Sequence, residues 1–535
     1  MSLNIATIVI FLIFRLGVYA AEIEVGVAIG GAPLTFDPHL AFAPGDQAIA
    51  SELFSGLVAV DADGRIVPAL ARSWRTKGIL DRIYVFRLRS DARWSDGTEL
   101  TAEDFVYSFR RALDPEVGAP FIARLLSIDY AQEFRLGIVP DYAELGIRAI
   151  DKTTLEIRLK SPSESFLDTL ASPVSYPVPR HVIAKWGVNW ASSETLVGSG
   201  PFILGGAASN NNTTLPVALI LKRNPFYFAP KDVKPDRLTI IEARTAEESI
   251  NLIRSGRAHL TMALPLSLPR DLDNLSSLVR SEIGTALYGY TVNITRPPFD
   301  KREVRHALSM SVKRLIALTQ VRVIDGVVAF SVVPPDVMLD ERSYVAPFAL
   351  LNAEEREAIA IALLNELGIG YDNPLHVRLA IPSGQAHRAV AEVVSKHWAE
   401  VGIQTTIIQR PFDEHWQALR GGNFDVAFSE PVGSDRLNPA GHLMSLTQAA
   451  GPNNYARYNF PEFDRRFTQA DGTSNEKRRY AYLREAERLA IEDQVIISLF
   501  HYTPAKLVAR EVKGWQGNSR DIHPLSVLSL AYSSD

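Results

Sequence analysis

The chain has 535 residues, which is long for a single hydrophobic core, so two or more lobes are expected. Its 47% hydrophobic and 22% charged residues are typical of a soluble globular protein, and its net charge of −5 argues against nucleic acid as a partner. The sequence contains no cysteine, which excludes disulfides, thiolate catalysis and Cys-based metal sites.

The first 21 residues differ in composition from the rest. An apolar run at 8–13 and small residues ending in Ala20 and Ala21 predict a signal peptide, residues 1–21, cleaved after Ala20 or Ala21. Arg15 interrupts the apolar stretch and no Lys or Arg precedes it, so an N-terminal anchor or a misassigned start stays open. Without a cysteine there is no lipoprotein anchor, and a freely diffusing exported protein suits the periplasm of a Gram-negative cell.

Downstream, segments with strand and helix periodicity alternate along the chain. Alternation of apolar and polar residues, the pattern of half-buried strands, occurs at 84–88, 155–159 and 377–381. Apolar spacing of three and four predicts helices over 304–316 and 386–401, the second ended by Gly402 and followed by a strand at 403–408. The Gly- and Asn-rich stretch 205–216 predicts a surface loop or hairpin tip. This mixture favours an α/β fold.

Motifs of catalysis are missing from the sequence. It has no G-x-S-x-G, no H-E-x-x-H, no P-loop and no G-x-G-x-x-G after a strand. His387 and His397 are ten residues apart, which places them on different helical faces and argues against a metal site. We therefore expect a protein that is not an enzyme and needs no metal or cofactor.

An ordered set of short motifs spans nearly all of the mature chain. They are Phe36-Asp37-Pro38-His39, Pro68-Ala69-Leu70-Ala71, Trp94-Ser95-Asp96-Gly97, Gly198-Ser199-Gly200-Pro201-Phe202, Arg223-Asn224-Pro225-Phe226-Tyr227, Val304-Arg305-His306-Ala307-Leu308 and Asn438-Pro439. In this order they resemble the periplasmic oligopeptide- and dipeptide-binding proteins, the peptide/opine/nickel class of receptors for ABC importers. Any one motif is weak, but the collinear set is specific.

The resemblance implies a two-lobed, venus-flytrap fold with an additional domain in lobe one. Lobe one would comprise 22–54, the extra domain 55–180, then 181–283 and a C-terminal return at 506–535. Lobe two would comprise 284–505. The function implied is capture of an extended peptide between closing lobes and its delivery to an inner-membrane ABC permease, by a protein that is usually a monomer.

Asp435 matches the family's aspartate that pairs with the terminal ammonium of the peptide. A buried ammonium needs such a partner, because an unpaired buried charge costs roughly 3–5 kcal/mol. Alternatively, Asp435 caps a helix starting near Pro439 or pairs with Arg436.

Five further positions match the family's ligand site less closely. Arg322, His387 and Arg420 lie near positions that supply cations to a ligand carboxylate, although each could be an exposed charge. Phe42 and Phe121 match cleft positions, although either could be a core aromatic.

The stretch before Asp435 departs from the family pattern. Peptide binders usually carry G-W-x-x-D there, whereas this chain has Phe428-Ser429-Glu430-Pro431-Val432-Gly433-Ser434. The Trp is missing, and Pro431 removes an N–H donor. A modified cell-wall peptide or a non-peptide solute, such as an opine, a sugar conjugate or a metal chelate, therefore stays open as the ligand. A hydrolase on the same scaffold would need an activated nucleophile or a metal, and the sequence shows neither.

Overall fold

A computed structural model describes residues 23–29, 33–78, 82–138, 144–163, 165–208, 218–243, 245–262, 276–335, 337–338, 343–430 and 436–531. The predicted signal peptide, 1–21, and the predicted ammonium ligand, Asp435, lie outside these described residues. None of the described helices is both long and apolar enough to span a membrane.

The described strands number 21. They are β1 (Glu24–Ile29), β2 (Val58–Val60), β3 (Ile66–Pro68), β4 (Ala71–Lys77), β5 (Ile83–Leu88), β6 (Ile147–Asp151), β7 (Thr154–Arg158), β8 (Phe202–Ala208), β9 (Ala218–Arg223), β10 (Arg237–Glu242), β11 (Leu260–Thr261), β12 (Val279–Ser281), β13 (Ala286–Val292), β14 (Ile324–Val328), β15 (Leu375–Pro382), β16 (Ile403–Arg410), β17 (Val426–Ser429), β18 (Ile496–Thr503), β19 (Ala505–Leu507), β20 (Val512–Lys513) and β21 (Ser529–Leu530).

Helices are interleaved with these strands. They are α1 (Pro44–Leu53), α2 (Ala102–Leu113), α3 (Ala131–Arg135), α4 (Phe166–Leu170), α5 (Arg180–Trp186), α6 (Ala246–Arg254), α7 (Arg302–Met310), α8 (Arg314–Leu318), α9 (Ala353–Asn365), α10 (Gln385–Ala399), α11 (Phe412–Arg420), α12 (Pro439–Leu443), α13 (Pro461–Asp471) and α14 (Glu476–Glu492).

Three sheets organise the molecule. A five-stranded sheet has the order β11-β1-β10-β9-β8, and a four-stranded antiparallel sheet has the order β4-β5-β7-β6. A six-stranded mixed sheet has the order β14-β18-β13-β17-β15-β16. The predicted α/β class is therefore confirmed.

The hydrophobic cores follow two separate parts of the chain. One large core draws on residues between 25 and 260 and again between 508 and 528. Two others draw only on residues between 287 and 500. The chain passes from the first part to the second between β12 and β13, and it returns between β18 and β19. β12 pairs with β19 beside these crossings, so two lobes are joined by a two-stranded connection.

Most of the periodicity-based elements are confirmed. Alternation at 84–88, 155–159 and 377–381 corresponds to β5, β7 and β15, and the segment after Gly402 forms β16. Gly402 has φ +84°, a conformation that ends α10 without the cost that a side chain would carry. Of the predicted loop 205–216, residues 205–208 instead form the end of β8, and the rest lie outside the described residues. β8 and β9, which flank that rest, are antiparallel partners, as expected for a hairpin.

The helix predicted over 304–316 is wrong in its extent, because the structure divides it into α7 and α8. Lys313 has a non-helical ψ of 82° before α8. The buried guanidinium of Arg314 docks the start of α8 by donating to the carbonyl oxygens of Ser309 at 3.0 Å, Ala329 at 2.9 Å and Ser498 at 2.8 Å. As a result Leu315 and Ile316, predicted to lie on the buried face, are 66% and 46% exposed.

The Gly-Ser-Gly-Pro-Phe motif at 198–202 has a packing explanation. A Cβ atom at Gly198 would lie 2.1 Å from the Leu53 carbonyl oxygen, and one at Gly200 would lie 2.4 Å from that of Glu52. The Asn224 side chain donates to the Gly200 carbonyl oxygen at 2.8 Å, so two of the motifs contact each other. Only glycine allows the end of α1 to approach this turn so closely.

Candidate functional site

One edge of the six-stranded sheet faces the connection between the lobes. The strand directions place the carboxyl ends of β15, β16, β17 and β18, and the amino ends of β13 and β14, at this edge. We call it the interlobe edge. Because ligands of open α/β sheets bind outside the carboxyl ends of the strands, it is the expected wall of a binding cleft.

An aromatic cluster lies just inside the interlobe edge. The ring of Tyr288 stacks on Phe500 with centroids 4.8 Å apart and packs against Phe428 at 4.8 Å. His387, in the first turn of α10, packs against Phe428 at 4.6 Å, and its Nδ1 lies 3.1 Å from the Tyr288 hydroxyl. Burial, aided by nearby His415, lowers the pKa of His387 to about 3. His387 is therefore neutral near pH 7, which suits it to hydrogen bonding rather than to pairing a carboxylate as a cation.

A second group of predicted residues meets between the lobes. Phe42 and Phe121 of lobe one stack with centroids 5.8 Å apart and an interplanar angle of 19°. The Arg420 guanidinium, from the last turn of α11 in lobe two, lies 4.8 Å above the Phe42 ring. The Arg124 guanidinium lies 5.1 Å from the centroid of the Phe121 ring. The four side chains form one stack of cation, two aromatic rings and cation, which we call the interlobe stack.

The charge of Arg420 has no carboxylate partner among the described residues. Its Nε is buried without a hydrogen bond, and desolvation lowers its pKa from the usual value. Beside it, the Asn453 side-chain amide donates across the lobes to the Pro120 carbonyl oxygen at 2.6 Å. A buried guanidinium edge that lacks an acceptor is suited to binding a carboxylate.

A charged cluster surrounds the connection between the lobes. The Lys506 ammonium lies 2.5 Å from Asp521 Oδ1 and 3.6 Å from Glu282 Oε1. Arg436 of lobe two pairs with Asp521 Oδ2 at 2.9 Å, and its backbone N–H donates to the Ser519 carbonyl oxygen at 2.8 Å. These contacts fix the position of the chain directly after residues 431–435, which lie outside the described part.

The same cluster contains a group with metal-ligand composition. Glu282, Asp521 and His523 have ligand atoms within 4.8 Å of one another. Burial lowers the pKa of His523, but its hydrogen bonds to Asp521 and Glu282 outweigh that and raise it. Because the Lys506 ammonium already supplies positive charge to both carboxylates, the geometry favours an ion-pair network over a metal site.

A third interlobe contact involves two serines. The Ser163 and Ser165 hydroxyls, just before α4, donate to Asp471 Oδ1 at 3.2 and 3.0 Å. Asp471 is the last residue of α13 in lobe two. This contact lies far along the chain from every residue predicted to touch ligand.

The predicted residues therefore occupy three places. Phe42, Phe121 and Arg420 meet in the interlobe stack, His387 joins the aromatic cluster, and Arg322 is exposed just before β14 at the interlobe edge. Sequence reasoning did not identify the cluster residues Tyr288 and Phe500 or the stack residue Arg124, because no motif marks them.

Comparisons with known proteins agree with this architecture. The family model of the bacterial extracellular solute-binding proteins, family 5 (Middle), matches residues 65–454. The chain is 29% identical over 511 residues to the periplasmic oligopeptide-binding protein OppA of Escherichia coli K12, across 94% of this chain and 91% of the relative. The crystal structure of Haemophilus influenzae OppA in complex with RPPGFSPFR is similar with a TM-score of 0.88 and 25% identity, across 96% of this chain and all of that chain.

Two structures of one relative distinguish lobe arrangements. The E. coli murein tripeptide-binding protein MppA is 27% identical and similar with a TM-score of 0.87, across 96% of this chain and 99% of that chain. For the unliganded open form of MppA, at the same identity and coverage, the TM-score is 0.64. The lobes of this chain are thus arranged as in the first MppA structure and in the peptide complex, and not as in the open form.

Proposed function

The chain belongs to the family 5 bacterial extracellular solute-binding proteins, and from that premise we propose that it captures an extended peptide between its two lobes and delivers it to an ABC permease in the inner membrane. The observation that carries this proposal is the similarity to the OppA–peptide complex over almost the whole chain, with the lobes in the same arrangement.

The interlobe edge supplies the chemistry that an extended peptide requires. Backbone groups of a peptide pair with exposed strand ends and loops, which gives affinity that depends little on sequence. Roomy, hydrated pockets then accept different side chains. The aromatic cluster behind the edge, in which Tyr288 and Phe500 are fully buried, gives that edge rigid support.

We assign the two ends of the peptide to opposite charges. Asp435 would bind the terminal ammonium, as in the family motif that it matches. Arg420 would bind a carboxylate of the ligand, a role supported by its unpartnered buried Nε. Arg322 and His387 remain weaker candidates, and the neutral state of His387 makes it a hydrogen-bonding group in this proposal.

The cellular setting forms part of the same proposal. The signal peptide pattern at 1–21 and the cysteine-free sequence support an exported, non-lipidated protein in a Gram-negative periplasm. We propose a monomer without catalytic activity, cofactor or nucleic-acid partner. The domain bounds 22–54, 55–180, 181–283, 284–505 and 506–535 also remain proposals, supported by the separate hydrophobic cores.

Mass spectrometry of the ligand that co-purifies with residues 22–535, released by mild denaturation, tests the function. We expect a mixture of short peptides, and we expect each to raise the melting temperature of the stripped protein by mass action. A single non-peptide compound would replace the peptide proposal with the alternative raised by the altered 428–434 stretch. A stripped protein whose melting temperature is unchanged by a broad peptide panel would contradict peptide binding directly.

A further inference from the structure

The lobes touch at two neighbouring points around the rings of the interlobe stack. At the first point, the Arg420 guanidinium of lobe two lies 4.8 Å from the centroid of the Phe42 ring. At the second, the Pro120 carbonyl oxygen, directly before Phe121, accepts a hydrogen bond of 2.6 Å from the Asn453 side chain of lobe two. The two rings therefore lie where lobe one meets lobe two directly.

These contacts leave no passage for a peptide main chain. An extended chain that pairs with a strand lies about 4.7–4.9 Å from it, and a chain between two walls needs such a distance on each side. The Asn453 nitrogen and the Pro120 oxygen are 2.6 Å apart. Because the lobes are arranged as in the OppA–peptide complex and not as in the open form of MppA, the contacts belong to the closed arrangement. An extended ligand must therefore end before it reaches them.

The charges at this place suit the carboxyl end of a peptide. No carboxylate pairs with Arg420 in the described part of the chain, and its Nε is buried without a hydrogen bond. The Arg124 guanidinium, 5.1 Å from the centroid of the Phe121 ring, adds a second positive charge. A terminal carboxylate can pair with a guanidinium as an ion, whereas a peptide bond in the interior of a chain is neutral.

The arrangement of the lobes alone does not limit the length of a ligand. H. influenzae OppA is similar to this chain with a TM-score of 0.88, and its structure is a complex with the nine-residue peptide RPPGFSPFR. Side chains at the end of the cleft must then limit how far a peptide extends. Phe121 packs against the large core of lobe one, which holds its ring in place. Phe42 belongs to none of the cores formed by the described residues, so core packing does not account for its ring.

We propose that Phe42 and Phe121 close the carboxyl end of the cleft and thereby set the maximum length of the peptide. This inference rests on the proposed peptide function. The terminal carboxylate of the ligand binds Arg420, and one residue more would meet the two rings. The ring centroids are 5.8 Å apart and an extended residue occupies about 3.3 Å, so removal of both rings makes room for about one or two further residues.

Calorimetric titration of the stripped protein with a length series tests this assignment. The probes are peptides of two to eight residues with free termini, in which serines separate two terminal alanines. In the wild type, one residue beyond a limiting length should raise the dissociation constant at least about tenfold. Phe42→Ala should move that limit upward by about one residue, and the double variant with Phe121→Ala by about one or two. The limit should move rather than vanish, because the contact between Asn453 and Pro120 remains.

Ser165→Ala separates a closed end from weaker closure. It removes one hydrogen bond between the lobes, from Ser165 to Asp471, and leaves the interlobe stack intact. It should therefore weaken the binding of every peptide by the same factor and keep the limiting length. Phe42→Ala should melt close to the wild-type temperature, because its ring lies outside the hydrophobic cores, and it should still bind peptides below the limit.

The outcomes distinguish the two proposals. Dissociation constants that stay within about threefold across the series in the wild type, or a limit that neither ring variant moves, would overturn the role of Phe42 and Phe121 alone. A limit that Ser165→Ala moves as far as Phe42→Ala does would overturn it as well, because closure strength would then set the length. Binding of no peptide would overturn the proposed function and this proposal together.

Discussion

Removal of the Asp471 carboxylate should weaken ligand binding, although Asp471 is not among the residues that we propose to contact the ligand. Asp471 accepts hydrogen bonds from the Ser163 and Ser165 hydroxyls of the opposite lobe at 3.2 and 3.0 Å. Asp471→Ala removes the one oxygen, Oδ1, that accepts both hydrogen bonds. The variant should fold normally, because an acidic residue at the carboxyl end of α13 opposes the helix dipole and does not stabilise the helix.

The size of the effect follows from the two hydrogen bonds. Each bond to a charged acceptor contributes about 1.5–3 kcal/mol when buried, and partial exposure of Asp471 reduces this. A loss of about 1.5–3 kcal/mol from the closed state is therefore expected. If the free protein is mainly open, the dissociation constant should rise about 10- to 100-fold.

Titration calorimetry with several peptides, combined with small-angle X-ray scattering, measures this effect. The loss of affinity should be the same for every peptide, and Ser165→Ala should reproduce roughly half of it in free energy. Asp372→Ala, an exposed aspartate of the same lobe, is the matched control and should bind as the wild type does. Unchanged dissociation constants and an unchanged radius of gyration with ligand in Asp471→Ala would refute a role of this contact in closure.

Three other changes test the site and its surroundings. Asp435→Asn should weaken binding of peptides with a free amino terminus by about 2 kcal/mol or more in calorimetry, and equal affinity for wild type and variant would remove Asp435 from the site. N-acetylated peptides should lose less. Arg420→Gln should lower affinity about tenfold or more for peptides with a free carboxylate, but less for their amides, whereas equal losses would indicate a role in closure only. Burial raises the pKa of Glu52 from 4.5 to about 8. Between these pH values the folded state therefore keeps a proton that the unfolded chain has already released. Stability should therefore fall as pH rises from about 4.5 through 8, and Glu52→Gln should flatten that decline in urea titrations at pH 5 and 9; a decline of unchanged steepness would contradict this.

Local patterns predicted local structure well. Strands β5, β7 and β15 and helix α10 were predicted because each buries one face, and burial of one face imposes its period on the sequence. The division between α7 and α8 escaped prediction because it depends on Arg314, whose guanidinium bonds carbonyl oxygens on β18, more than 180 residues away. Periodicity contains no information about such a partner.

The candidate site likewise combines residues that the sequence predicted with contacts that it did not predict. The resemblance identified Phe42, Phe121 and Arg420 one by one, but it did not predict that they form a single stack across the lobes. The stack also includes Arg124, and its members come from both parts of the chain. Contacts of this kind are fixed by the arrangement of the lobes, which no single stretch of sequence encodes.

The chemistry of the interlobe contacts is suited to a reversible receptor. A ligand shifts the balance between open and closed forms only by binding the closed form better. Contacts between the lobes stabilise the closed form whether or not ligand is bound. Strong contacts would therefore close the cleft before a ligand entered. The contacts found in the described part of the chain include a cation over an aromatic ring, serine hydroxyls on Asp471, the Asn453 amide on the Pro120 carbonyl and the Arg436–Asp521 pair. Each is small and polar rather than a broad apolar surface, so together they favour closure while leaving the ligand to decide it.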